Sequence, residues 1–227
     1  FIIANSNMVK EQIIDTYNIN PNKINIIYNG IELKEIDFKK SFNKLSKEFS
    51  ISKNQSILLF VGSGFKRKGA AEFLQIISKL KTKDIKAFII GKEKNIKYYQ
   101  YLSKELNIDS QVEFTGPRKD VDDFYAISDI FLFPTHYDPF SNVVLEAMNF
   151  ENVVFTTSNN GASEILDKDF VMDNPYDTNV ISSIDYLLSN KTALDKEKRE
   201  NKNKSELFSI EKNLNITLEV ISQIEKK

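Results

Sequence analysis

The stretch ILLFVGSGFKRKGAAEFLQIISKL, residues 57–80, decides how the rest of the chain is read. It opens on an unbroken apolar run, Ile57–Val61, as expected of a strand covered on both faces. It turns through Gly62, Ser63 and Gly64, and then Ala70, Phe73, Leu74, Ile77 and Leu80 recur at helical spacing. Working outward, further apolar runs stand at Ala87–Ile90, Val112–Thr115, Ile130–Phe133 and Val153–Thr156, with two more at Ile2–Ala4 and Ile24–Tyr28. Helix-length patterns separate them: Leu102 with Leu106, then Val121, Phe124 and Tyr125, and finally Ile210, Leu214, Leu218, Ile221 and Ile224. Strand and helix alternate from Ile57 onward. That predicts an α/β domain with a Rossmann-like parallel sheet, right-handed crossovers and helices on both faces.

Composition excludes several chemistries. The chain has 227 residues, or roughly one and a half domains at about 150 residues each. It has no Cys, which removes disulfides, Cys-ligated zinc and thiol nucleophiles. One His excludes multi-histidine metal sites. Thirty-one Lys and Arg face 32 Asp and Glu, for a net charge of −1, which argues against a binder of nucleic-acid backbone. No apolar run reaches membrane-spanning length, and the start FIIANSNMVK has neither the basic region nor the cleavage site of a secretory signal. These features point to a cytosolic protein. The chain opens without Met directly in a strand-like run, as expected of a cut chain whose upstream part is absent. The charged stretch Ile31–Phe49 reads as a linker or lead-in, and Lys191–Lys204 as a solvated helix face.

Gly62, Gly91 and Gly116 each follow a strand directly, at the strand ends where parallel sheets form their ligand crevice. Each also reads as an ordinary turn residue. The dinucleotide pattern G-x-G-x-x-G fails because Arg67 stands where the last Gly is needed, and the P-loop fails because Ala70 and Ala71 replace Lys and Ser/Thr. What remains is Arg67 and Lys68 at a helix start. There the free N–H groups, a planar guanidinium and a compact ammonium all suit phosphate. An exposed basic loop is the alternative.

A second segment, HYDPFSNVVLEA, residues 136–147, carries a turn proline, the capping residues Ser141 and Asn142, and an apolar helix face. Asp138 precedes that helix and Glu146 lies one turn inside it, so both carboxylates can border one crevice and accept paired hydroxyls. A dipole-facing acid and a surface Glu remain the alternative. The pair Asp122-Asp123 reads as a helix cap rather than a metal-binding D-x-D.

Together FVGSGFKRKG and PTHYDPFSNVVLEA resemble the retaining glycosyltransferases of family 4, which have the GT-B fold. GPRKDVDDFYAISDIFLFPT (116–135), NNGASEIL (159–166) and KINIIYNGIE (23–32) are similar to that family's base-binding loop, next sugar-proximal loop and interdomain linker. The Gly-Ser after the first strand and the Arg-Lys-Gly resemble the bacterial lipopolysaccharide-core glucosyltransferases most. The resemblance implies a division into a remnant of the acceptor domain at 1–30, a donor-binding domain (one half of a GT-B fold) at 31–208, and a C-terminal helix at 209–227. That helix would pack on the missing acceptor domain, and its bared apolar face would allow self-association.

The resemblance implies an enzyme that transfers a hexose from a nucleoside diphosphate sugar, a UDP-sugar foremost, with retention. The acceptor would be a glycan or lipopolysaccharide-type molecule, bound through the missing domain. No cofactor or metal is expected, and no nucleic acid. The full-length protein would be cytoplasmic and peripheral at the inner face of a membrane. Arg67 and Lys68 would bind the diphosphate. Glu146, the second acid of the family's E-x7-E motif, would bind the ribose, with Asp138 near the sugar. The backbone amides of Phe140, Ser141, Asn142 and Val143 would face sugar and phosphate, with Gly62, Ser63, Gly64 and Gly91 on the rim. Arg118 would line the base pocket. Asp138 is one methylene shorter than the family's Glu, Ser63 stands where many members carry Arg, and His136 has no assigned role. The alternatives are a non-catalytic nucleotide-binding module, an NAD-binding oxidoreductase with Glu93 as ribose acid, and a sugar-nucleotide epimerase.

Overall fold

In a computed structural model that describes residues 1–35 and 37–225, a six-stranded sheet forms the centre of the molecule. Its strands are β3 (Ser56–Val61), β4 (Ile85–Ile90), β5 (Val112–Gly116), β6 (Ile130–Phe133), β7 (Val153–Thr157) and β8 (Val171–Met172). Their order is β5-β4-β3-β6-β7-β8, and every pairing is parallel. Leu58 pairs with Ala87 on one side and with Ile130 on the other, so β3 stands where the strand order reverses. The helices after β3 and β4 are α3 (Phe65–Lys68), α4 (Ala70–Lys79) and α5 (Ile96–Glu105). Those after β5 and β6 are α6 (Val121–Ile127) and α7 (Asn142–Asn149). Right-handed crossovers running in opposite directions from β3 put the two groups on opposite faces. The expected α/β architecture is the one observed.

The core explains the unbroken apolar runs. Leu58, Leu59, Phe60, Phe131 and Phe133 are fully buried. Phe60 meets Phe65, Phe73 and Phe133 at ring-centroid distances of 5.7, 5.6 and 5.6 Å. Aromatic rings at such spacings add to the gain from burial alone. α8 (Val180–Ser189) and α9 (Lys191–Ser205) close the far side. α9 is less solvated than expected: it packs on α7, α8 and β7, only Lys191, Thr192, Lys196, Arg199 and Asn203 are exposed, and Leu194, Asn201 and Ser205 are buried.

Two expectations are corrected. The stretch Ile31–Phe49 is not all linker: it contains α2 (Phe38–Phe49), which packs on α6. Asp122 and Asp123 do not cap α6. Asp122 takes the Lys34 ammonium at 2.6 Å, and Asp123 accepts from Ser41 Oγ at 2.7 Å and Lys44 Nζ at 2.7 Å. Both acids therefore face the lysine-rich lead-in, and charge pairing there outweighs capping.

β1 (Ile2–Ala4) and β2 (Ile24–Ile26) form a separate parallel pair, and α1 (Asn7–Tyr17) is held at its start by Glu164. The Glu164 carboxylate accepts from the amides of Asn7 and Met8 at 2.9 and 2.8 Å, an anion placed on a helix N-terminus. Tyr28 donates to the same carboxylate at 2.9 Å, and burial followed by Glu164 pushes its phenol up to about 12. α10 (Ile210–Glu225) begins where Ile31 pairs with Ser209, and it exposes Leu214, Leu218 and Ile221. The side chain of Ile224 lies outside the described residues, as do residues 226 and 227. No described helix is long and apolar enough to cross a membrane.

α3 and α4 meet at Gly69, whose φ is +82°, and a Cβ there would come within 1.8 Å of the Pro134 carbonyl oxygen. Gly64, φ +73°, faces open space. Gly64→Ala is therefore expected to cost only the left-handed strain, about 1–2 kcal/mol. Gly69→Ala should cost well beyond that, because backbone must move. Urea denaturation of both variants checks this, and equal costs would contradict it.

Candidate functional site

The loops that leave β3 and β6 meet at the sheet's switch point, the place where open α/β sheets bind ligands. α3 is a single turn between Gly64 and Gly69. It delivers two consecutive cations to different places. The Lys68 ammonium pairs with Asp138 and lies 5.2 Å from the centroid of the Phe133 ring. Both side chains of this pair are largely shielded, at 14% and 9% exposure. Arg67 is exposed and donates to the Tyr137 carbonyl at 2.9 Å. The Arg67 carbonyl in turn accepts from the His136 amide at 2.9 Å and Thr135 Oγ1 at 3.0 Å. Loop 134–138 is thus laced to the end of α3.

Asp138 is fixed through its backbone as well. Its amide donates to Asn159 and its carbonyl accepts from Gly161, at 3.0 and 2.9 Å. α7 begins four residues on. Ser141 stands at its N-cap, but its hydroxyl caps nothing: the buried Oγ has no hydrogen-bond partner. The Ser141 amide is engaged by Asn160 Oδ1 at 3.3 Å, so of the four expected amides it is not free. Among the described residues the amides of Phe140, Asn142 and Val143 meet no protein acceptor. The free N–H groups at this helix start and the Lys68 ammonium are chemically suited to an anion, whereas the Ser141 hydroxyl is sealed from the surface.

Glu146 lies one turn into α7 and lines a cavity of 330 Å³ with Lys34, Asp122 and Asn142. Tyr125 donates to its Oε2 at 3.1 Å, leaving the other oxygen available. Burial raises the Glu146 pKa. The Tyr125 hydroxyl and Lys34 pull it back, while Asp122 raises it further. Lys34 lies in a stretch with no periodicity to mark it, and no sequence signal places it beside Glu146.

The rim is more structural than expected. Gly62 donates to Ile90 at 2.9 Å, Gly64 to Lys92 at 3.3 Å and Gly91 to Gly116 at 3.1 Å, and Ser63 Oγ accepts from the Lys92 amide at 3.1 Å. These bonds tie successive strand ends to one another. Arg118 is not brought to the crevice. Its guanidinium forks onto Asp120 and Glu48 at 2.7–3.1 Å, hydrogen bonds that raise its pKa, and it lies 5.2 Å from the Phe124 ring centroid. It fastens the β5–α6 loop to α2. Glu93 does not serve as a free ribose acid either. Its carboxylate accepts from the amides of Asn95 and Phe65, both at 2.9 Å, and those bonds lower its pKa, Asn95 first.

His136 gains a place: its Nε2 lies 3.0 Å from Glu72 Oε1, and its ring meets Tyr176 edge-on at 5.5 Å. Glu72, buried in the first turn of α4 within an otherwise apolar run, is the signal that sequence reading passed over. Among the described residues no group of three His, Cys, Asp or Glu side chains is arranged to hold a metal ion.

Because the Glu146 pKa is raised in the fold, its ionised form opposes folding. That cost is fully present above the raised pKa and disappears as pH falls through it towards the unfolded value. Glu146→Gln is therefore expected to be more stable than wild type at about pH 8, by up to about 1 kcal/mol, with the advantage shrinking towards about pH 4. Denaturant titrations at both pH values test this. A variant less stable at pH 8, or an advantage growing towards acid, would contradict it.

The family model described as "Glycosyl transferases group 1" matches residues 41–206. The capsular polysaccharide biosynthesis glycosyltransferase CapM of Staphylococcus aureus is 32% identical over 71% of this chain and 44% of its own length. The lipopolysaccharide glucosyltransferase WaaG of Escherichia coli (strain K12) is 32% identical over 48% of this chain and 29% of its own. The crystal structure of Anabaena Alr3699/HepE in complex with UDP and glucose superimposes with a TM-score of 0.88 at 17% identity, covering 98% of this chain and 63% of that one. The chain therefore spans less than half the length of these two curated relatives. The family match, over well more than half of the chain, and the overlap with CapM agree with the resemblance carried by the two glycine- and acid-bearing segments: this chain belongs to the group 1 glycosyl transferases.

Proposed function

We propose that this chain is the donor-binding part of a retaining hexosyltransferase that takes its sugar from a UDP-sugar and passes it to a glycan or lipopolysaccharide-type acceptor. One observation carries the reading. A shielded ammonium, Lys68, is held by Asp138, which precedes a helix start with unpartnered amides, and Glu146 lies one turn into that helix. The names of the curated relatives support transfer to surface polysaccharides, and the Anabaena relative binds UDP and glucose.

In this reading the diphosphate lies against Lys68 and the amides of α7. As the bond between the sugar and the diphosphate breaks, negative charge grows on the leaving phosphate. A preorganised ammonium and helix N-terminus stabilise that charge without rearranging. Asp138 accepts a sugar hydroxyl while keeping the ammonium aimed. Glu146 accepts the ribose hydroxyls through the oxygen that Tyr125 leaves free. Because protein cations take up the charge, the proposed reaction calls on no metal. Arg67, turned onto the Tyr137 carbonyl, takes a smaller share than its neighbour.

Lys68→Met is expected to weaken UDP-glucose binding by at least about tenfold, the size of a lost charge-assisted bond, and Arg67→Met by less. Glu146→Gln is expected to weaken UDP but leave 2′-deoxy-UDP nearly unchanged. Calorimetry on the four combinations checks both statements. Full UDP-glucose affinity in Lys68→Met would remove the diphosphate assignment, and equal losses for UDP and its deoxy form would remove the ribose assignment.

A further inference from the structure

His136 of loop 134–138, but not Asp138, lines a larger cleft of 930 Å³, within the range of ligand pockets. Its walls come from loops and helices that are distant in sequence: α3, the first turn of α4, the start of α5, and the loop after β8. Three tyrosines line it. Tyr99 is buried and forms a fixed wall, and Tyr98 crosses it edge-on at 5.0 Å while staying half exposed. Tyr176 is 66% exposed, yet it is placed: its amide is held by Asn174 Oδ1 at 2.9 Å and its ring lies against His136.

The polar lining is mixed. Lys66 and Arg67 supply donors. Glu72, whose Oε1 faces His136 while no hydrogen bond engages its Oε2, supplies an acceptor. Two cations, Lys66 and Arg67, stand against two acids, Glu72 and Glu93, so the lining does not select an anion. Closely spaced donors and acceptors match groups that are both at once, namely hydroxyls. Flat amphipathic rings match the C–H face of a pyranose, and their loss of side-chain freedom on binding is small.

We propose that this cleft is a saccharide-binding subsite for the acceptor glycan. Its role as an acceptor subsite rests on the transferase reading above, whereas the binding of sugar does not. Three successive residues connect it to the donor side. His136 faces Glu72 in the cleft, the Tyr137 carbonyl takes Arg67 from the cleft wall, and Asp138 holds Lys68. A glycan seated on the tyrosines therefore shares a loop with the group that aims the ammonium.

The test is saturation-transfer NMR on the chain with maltotriose, lactose and N,N′-diacetylchitobiose, each with and without saturating UDP. At least one is expected to receive saturation and to keep it when UDP is added. The signal should fall about tenfold in Tyr98→Ala and in Tyr176→Ala, and return in Tyr98→Phe, the size expected for losing an aromatic anchor. UDP affinity by calorimetry should be unchanged in all three variants. No transfer to any of the three sugars, transfer equal in the alanine variants, or transfer abolished by UDP would each overturn the proposal. Failure of the transferase reading shows separately, as UDP-glucose that does not bind wild type while the tyrosine-dependent sugar signal persists.

Discussion

The shielded ion pair between Lys68 and Asp138 is the interaction on which the site depends. It joins the loop after β3 to the loop after β6, the two strand ends between which an open parallel sheet forms its crevice. Such a pair is a poor device for stability, because removing two charges from water costs about as much as their attraction returns. Its value lies in position. Lys68 reaches Asp138 only because α3 is pressed against loop 134–138. That approach requires Gly69, which leaves no room for a side chain beside the Pro134 carbonyl. The same contact is fastened by the Arg67 carbonyl, which accepts from both His136 and Thr135.

Loop 134–138 then distributes roles by simple alternation. His136 turns to α4, Tyr137 presents its carbonyl to Arg67 and its hydroxyl to Gln12 of α1, and Asp138 turns to Lys68. Neighbouring residues thereby serve a cleft, a scaffold and an ion pair. α7 follows at once with its free amides, so a small number of backbone turns assembles the site. Elements on the opposite face are drawn in through Lys34 and Asp122, which set the electrostatic surroundings of Glu146, and through Arg118, which fastens the β5–α6 loop to α2.

The sheet was legible because its strands are covered on both faces and therefore read as continuous apolar runs. β3, β4, β6 and β7 stand out on that ground alone. β8 has two residues, too few for any periodicity. α2 escaped notice because lysines dominate its composition and conceal the stripe of Phe38, Phe42, Leu45 and Phe49. Within the site, the positions of Lys68, Asp138 and Glu146 follow from motif spacing along single segments. The destinations of Arg67, Arg118 and His136 do not. Each is decided by a partner far away in sequence, respectively Tyr137, Glu48 and Glu72, and no local pattern encodes such a meeting.

The most direct measurement is a crystal structure of the chain with UDP-glucose bound. The diphosphate is expected within hydrogen-bond distance of the Lys68 ammonium and the α7 amides, with the ribose hydroxyls on Glu146 and the tyrosine-lined cleft left vacant by the donor. A diphosphate seated instead against Lys66 and Arg67 with the base stacked on Tyr98 would contradict it.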